Sequence, residues 1–206
     1  MILPTPVYRF FSKKEHLNDL VINGRMRFTP TSAFGELKDM NYRDEGENYY
    51  HFKIREDKSH TIIVDGKERL IEGGTVHSTY RKIDDAWAFC CSTSIVSTAR
   101  KPYSAYIKNF GRLIQKLDEA IKAKFNEKLL IMFGPVAYYD RHMDLFSEVN
   151  PPPYFSKEEK FKTDLEFRIV IVPSDKIYES GKLDVLTLEI NEPIEIFGQT
   201  TIIDKK

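Results

Sequence analysis

The stretch Thr163-Asp164-Leu165-Glu166-Phe167-Arg168-Ile169-Val170-Ile171-Val172 reads as a β-strand too apolar to lie open to water, yet it opens on two carboxylates and an arginine. Alternate residues of a strand share a face, so Asp164, Glu166 and Arg168 are expected to point one way and Leu165, Phe167 and Ile169 the other. Ionised groups beside a buried run are costly unless they are paired or used. The strand is therefore the first candidate for the working edge of a site. A strand with one solvated face shows the same alternation, so the charges take their meaning from their neighbours.

Upstream of this strand, Ser156 to Lys160 fits a short helix, and Asn150-Pro151-Pro152-Pro153 a rigid extended link. Leu129 to Phe133 and Val136 to Tyr139 read as strands separated by a Gly134-Pro135 break. The clearest helix spans Ser104 to about Asn126, with Phe110, Leu113, Ile114, Leu117 and Ile121 at helical spacing. Asp85 to Ser92 is a strand apolar on both faces and hence central. Downstream, Leu183 to Ile190 and Ile194 to Phe197 are the last strands.

The chain opens with a strand over Val7 to Phe11. Ser12, with Glu15 three residues on, forms a capping box for a helix through Lys13 to Ile22 that buries Leu17, Leu20 and Val21. Gly24 is its left-handed cap. Arg25 to Thr29 is the second strand, ended by Pro30 and a turn into a short helix near Phe34. Residues Lys38 to Asn48 form a polar loop whose Arg43-Asp44-Glu45-Gly46 suits a solvated surface, a lid or an acceptor-binding loop. Tyr49 to Ile54, His60 to Val64 and Arg69 to Ile71 follow as strands, with a hairpin turn at Asp65-Gly66 and a break at Gly73-Gly74. The whole reads as one α+β domain over residues 1–206, richer in strand than helix, with a hairpin-rich insertion at 38–80.

Lys+Arg and Asp+Glu both number 31 in 206 residues, so there is no basic excess of the kind strong nonspecific nucleic-acid binding shows. Cys90 and Cys91 are adjacent, so they are expected on opposite faces of a strand and not joined. Two cysteines without a spaced framework point to a reducing compartment. No apolar run approaches a membrane span and no signal pattern opens the chain, so a cytoplasmic protein is expected, with no membrane partner. The five histidines are scattered, and no metal-type spacing appears.

Three pieces carry chemistry if they meet: Tyr8-Arg9, Ser92-Thr93-Ser94 and Asp164-Leu165-Glu166. An arginine fork suits a diphosphate. A serine can hold a ribose, and a glutamate can bind a ribose hydroxyl and stabilise developing positive charge at an anomeric carbon. Each piece has a plainer use. Arg9 could pair with Asp164 or Glu166 and close a sheet edge, Ser92-Thr93-Ser94 could be a strand exit, and Arg168 suits a structural partner of Glu166 or Asp164.

Arg9, Ser92-Thr93-Ser94 and Glu166 resemble the arginine–serine–glutamate pattern of ADP-ribosyltransferases. Gly24, Phe28, Pro30 and Ala33-Phe34, then Cys90-Cys91-Ser92, Val136 to Asp140 and Glu166-Phe167-Arg168, also resemble the layout of a bacterial and phage family of DUF2971 type. The resemblance implies a split, mostly antiparallel sheet with flanking helices. It implies NAD as substrate without a metal, and Tyr8, Arg9, Ser92, Thr93 and Ser94 as the residues that bind it. Glu166 and Asp164 would be catalytic. It further implies an effector of toxin, anti-phage or counter-defence type, a protein or nucleic-acid acceptor and an antitoxin or inhibitor partner. Asp164 departs from the glutamate or glutamine usual two residues before the catalytic glutamate and is one methylene shorter. The same fold could instead serve a non-catalytic nucleotide- or protein-binding module, and Asp164 with Glu166 could serve a metal-dependent nuclease.

Overall fold

The computed structural model describes residues 6–35, 50–64, 67–80, 85–95, 101–139, 143–144, 153–178 and 183–201. In chain order the elements are β1 (Tyr8–Phe11), α1 (Lys14–Val21), β2 (Arg25–Pro30), α2 (Ser32–Gly35), β3 (Tyr50–Val64), β4 (Lys67–Tyr80), β5 (Trp87–Ser92), β6 (Tyr103–Ile107), α3 (Phe110–Phe125), β7 (Leu130–Pro135), β8 (Ala137–Tyr139), β9 (Met143–Asp144), β10 (Ser156–Glu158), β11 (Glu166–Val172), α4 (Asp175–Tyr178), β12 (Leu186–Glu189), α5 (Pro193–Ile196) and β13 (Phe197–Thr201). The architecture is α+β, with an eight-stranded sheet whose registers are all antiparallel.

The apolar run Phe167 to Val172 forms β11, which lies between β5 and β7. Both of its faces are covered, which is why the run is not simply alternating. On one face Phe167, Ile169 and Ile171 join Trp87, Phe89 and Cys91 of β5 and the α3 stripe Phe110, Leu113, Leu117 and Ile121 in the main core. On the other face Val170 packs with Ala86, Ala88, Tyr154 and Phe155. Cys91 thus belongs to the main core, Cys90 borders the smaller cluster, and both are free thiols.

The sheet splits at β5. One edge of β5 pairs along its length with β11, from Glu166↔Ser92 to Ile171↔Trp87. Two strands share the other edge: β2 pairs at Thr29↔Ala88 and Pro30↔Trp87, and β1 pairs only at Tyr8↔Ser92. From there β1 continues into β6 and β13, and β2 continues into β12. Helix α1 connects the two arms and buries Leu17, Leu20 and Val21. Gly24 turns the chain into β2 at φ 68°, and a Cβ there would lie 2.1 Å from the Ile190 carbonyl oxygen. Glycine is thus required both by conformation and by the close approach of the segment after β12.

Several local expectations are corrected. Ser12 does not cap α1: the cap position is Lys13, without a side-chain hydrogen bond. Tyr103–Ile107 is a strand, because it is held between β1 and β13; the helix starts after Asn109, whose side chain accepts from the Arg112 amide. Gly134-Pro135 does not break β7, since Gly134 pairs with Arg168. Ser156–Glu158 is a strand parallel to β8, followed by a 3₁₀ turn over Glu159–Asp164. Pro193–Ile196 is a helical turn, with Pro at its start, and only then does β13 begin. Residues 50–64 and 67–80 form one long hairpin, in which Gly73-Gly74 lies within the second strand and the register shifts nearby. The polar loop with Arg43-Asp44-Glu45-Gly46, the Asp65-Gly66 turn and Asn150-Pro151-Pro152 lie outside the described residues. No helix among the described residues is long and apolar enough to cross a membrane.

Candidate functional site

Residues directly opposite in an antiparallel pair share a face. Tyr8↔Ser92 and Ser92↔Glu166 therefore place Tyr8, Ser92 and Glu166 on one rung and one face of three adjacent strands. Two of the three sequence pieces are brought together fully. The third is divided, because Arg9 follows Tyr8 and takes the opposite direction, opposite Ala105 of the main core.

Glu166 is the centre of a buried ionic cluster. Its Oε1 accepts from Arg168 Nε at 2.7 Å and its Oε2 from Lys157 Nζ at 3.0 Å. Lys157 also reaches Asp164 Oδ2 at 3.3 Å. Arg168 is 1% exposed, the largest fully buried side chain among the described residues, and its Nη1 donates to the Tyr154 carbonyl at 2.9 Å. Its guanidinium also sits 5.5 Å from the Phe34 ring centre, and the Lys157 ammonium 4.4 Å from that of Phe161. The Glu166 amide donates to the Tyr138 hydroxyl at 2.7 Å. Burial alone would raise the Glu166 carboxyl, but the Arg168 and Lys157 charges override it and hold the group down at about 2. Burial likewise opposes the charge on Lys157, and Glu166 reverses that and raises it. The carboxylate is therefore ionised at neutral pH.

Asp164 does not share the strand alternation. It ends the 3₁₀ turn, and Leu165 follows at φ 44°, so β11 begins only at Glu166. Lys157 restores the pairing of the two carboxylates by lying between them. Ser92-Thr93-Ser94 clamps this turn. Ser92 Oγ donates to the Asp164 carbonyl at 3.1 Å and accepts from the Ser94 amide at 3.1 Å. The Thr93 amide and hydroxyl donate to the Leu165 carbonyl at 2.8 and 3.2 Å. The strand-exit use of these residues is thus present in the fold.

Cys90 lies between the two halves of the candidate site. Its backbone carbonyl accepts from Arg9 Nη1, and it stands opposite Arg168 in the β5–β11 pair. Burial, reinforced by Glu166, pushes the Cys90 thiol well above its ordinary range, and burial pushes Cys91 up to about 12. Neither is a thiolate nucleophile at neutral pH.

Arg9 turns into the split, with its guanidinium 4.8 Å from the Phe89 ring centre. There it lines a cavity of about 510 Å³ with Phe11, His16, Asp19, Leu20 and the β2 residues Arg25, Arg27 and Thr29. Glu166, Ser92 and Asp164 are not among its walls. Tyr138 lay within the Val136 to Asp140 stretch but was given no site role, and Lys157, Tyr154 and the cavity residues other than Arg9 were not signalled by any motif. Lys157 reaches Glu166 because β10 is parallel to β8, a non-local pairing with no short-range signature. The alternation Arg25-x-Arg27-x-Thr29 was visible in the sequence, but only the split gives it a partner in Arg9.

No protein-family model, no curated protein and no solved structure matches the chain.

Proposed function

We propose that the protein is an ADP-ribosyltransferase-like effector that uses NAD as substrate, with Glu166 as the catalytic carboxylate. The observation that supports this reading is the single rung Tyr8–Ser92–Glu166 across β1, β5 and β11, beside the point where the sheet splits. In the reaction the bond from the ribosyl C1′ to the nicotinamide nitrogen breaks and its electron pair leaves with nicotinamide. A nucleophile of a protein or nucleic acid then forms the new bond to C1′ and loses its proton to solvent. An ionised Glu166 stabilises the positive charge that develops on the ribosyl ring. Tyr8, half-buried on the same face, offers a ring for nicotinamide, whereas Arg9 takes the opposite direction and is not carried forward as a phosphate ligand of this site. Asp164, which Lys157 holds at 3.3 Å, is the residue this reading assigns to the acceptor.

The second reading is a non-catalytic nucleotide- or protein-binding module. One observation favours it: both Glu166 oxygens already carry a cation. A nuclease reading is not carried forward, because Asp164 and Glu166 converge on the Lys157 ammonium.

The test is labelled NAD with a bacterial lysate, following label into protein and nucleic-acid fractions. Wild type, Glu166→Gln and Tyr8→Ala are compared, each with a thermal melt. Transfer by wild type, lost in both variants while they remain folded, supports the transferase. Absence of transfer and of nicotinamide release by folded wild type moves the assignment to the binding module.

A further inference from the structure

We propose that the cavity in the sheet split is a binding site for a small phosphorylated ligand, with Arg9 and Arg27 as its anion anchors. No wall of this cavity belongs to the Glu166 cluster, so the inference does not rest on the transferase reading.

The charges of the cavity do not balance. Arg9, Arg25 and Arg27 face it, and among the described residues Asp19 is the only carboxylate in the wall. The acids nearby are committed to one of the three. Arg25 Nε bonds Glu189 at 2.9 Å, and Arg25 Nη1 lies 3.9 Å from Asp19. Asp19 also accepts from the Asn23 side-chain amide at 2.9 Å. Among the described residues neither Arg9 nor Arg27 has a carboxylate partner. Arg9 Nε is buried and makes no hydrogen bond. Desolvating a guanidinium without a counter-ion is unfavourable, and three cations around one concavity repel one another. A bound anion removes both penalties.

The shape and the remaining chemistry narrow the anion. Arginine forks match phosphate oxygens in pairs, and Thr29 and Thr187 add hydroxyls from neighbouring strands. The volume of about 510 Å³ falls in the range of small-molecule sites, roughly 300–1,000 Å³. Phe11, Leu20 and Phe89 give the cavity an apolar side that an inorganic ion does not need. A phosphomonoester or diphosphate attached to an organic body fits all of these features.

The experiment is calorimetric titration of the full chain with inorganic pyrophosphate, with ADP and with a single-stranded oligonucleotide, at fixed salt. Arg27→Ala and Arg9→Gln are compared with wild type and with Lys124→Ala, a surface charge removed elsewhere. ADP should bind more tightly than pyrophosphate, and each arginine variant should weaken both by tenfold or more. Arg27 is exposed, so that variant tests the site even where Arg9→Gln fails to fold. Glu166→Gln should keep the affinity, which separates failure of this site from failure of the transferase reading. Absence of binding at millimolar ligand overturns the proposal, as does equal weakening by Lys124→Ala. Oligonucleotide binding that neither small ligand displaces replaces it with a nucleic-acid surface.

Discussion

Two groups of cations lie on either side of Cys90, and they are solved in opposite ways. On the β11 side, Arg168 and Lys157 meet Glu166 and Asp164, so the cluster closes on itself with two cations and two carboxylates. On the split side, Arg9 and Arg27 meet no carboxylate among the described residues, and the space between them is open. A buried charge that is fully paired is chiefly a statement about folding and register. A charge left unpaired at the wall of a cavity is a statement about what enters it. The difference is that β11 is covered on both faces, which forces pairing, whereas β1 and β2 diverge and leave room.

The largest expected effect breaks the closed side. Glu166→Ala leaves Arg168 buried without a counter-charge and Lys157 with Asp164 alone, and should cost about 3–5 kcal/mol, read by denaturant unfolding. A cost below about 1 kcal/mol would show that the cluster is not held together by its charges. The next largest acts on the arm that opens the split. Gly24→Ala must place a Cβ against the Ile190 carbonyl at positive φ, and should cost about 1–3 kcal/mol in the same measurement.

A smaller, graded effect comes from pH. The Glu166 carboxyl titrates near 2 in the folded chain against about 4.3 when unfolded. The unfolded state therefore binds the proton first on acidification. The stability Glu166 contributes is complete above about pH 4.3 and is lost as pH falls towards 2. Urea midpoints across this window should fall steeply for wild type and less steeply for Glu166→Gln; parallel curves would remove Glu166 from the account. The smallest effect belongs to the open side. Arg27→Ala should change stability by no more than about 0.5 kcal/mol, because Arg27 is exposed and has no ion pair among the described residues. A loss above 1 kcal/mol would mean that Arg27 has a structural role after all.

The fold was legible where the pattern was long or the chain chemistry strict. The α3 stripe, the apolar β5 and β11, and the left-handed Gly24 follow from periodicity and sterics. Tyr103–Ile107 was not legible as a strand, because its identity depends on the two strands beside it. Alternation was right for Glu166 and Arg168 and wrong for Asp164, because Leu165 breaks the strand with a positive φ that no composition signal announces. The meeting of Ser92 with Glu166 and Tyr8 needed strand order, and Lys157 needed a parallel pairing.

The most direct test of the central claim is nicotinamide release from NAD in the presence of lysate, comparing wild type with Glu166→Gln at equal folded fraction. Release by wild type and its loss in the variant are expected, with pyrophosphate affinity unchanged. Equal rates from the two proteins, or no release from folded wild type, would contradict the claim.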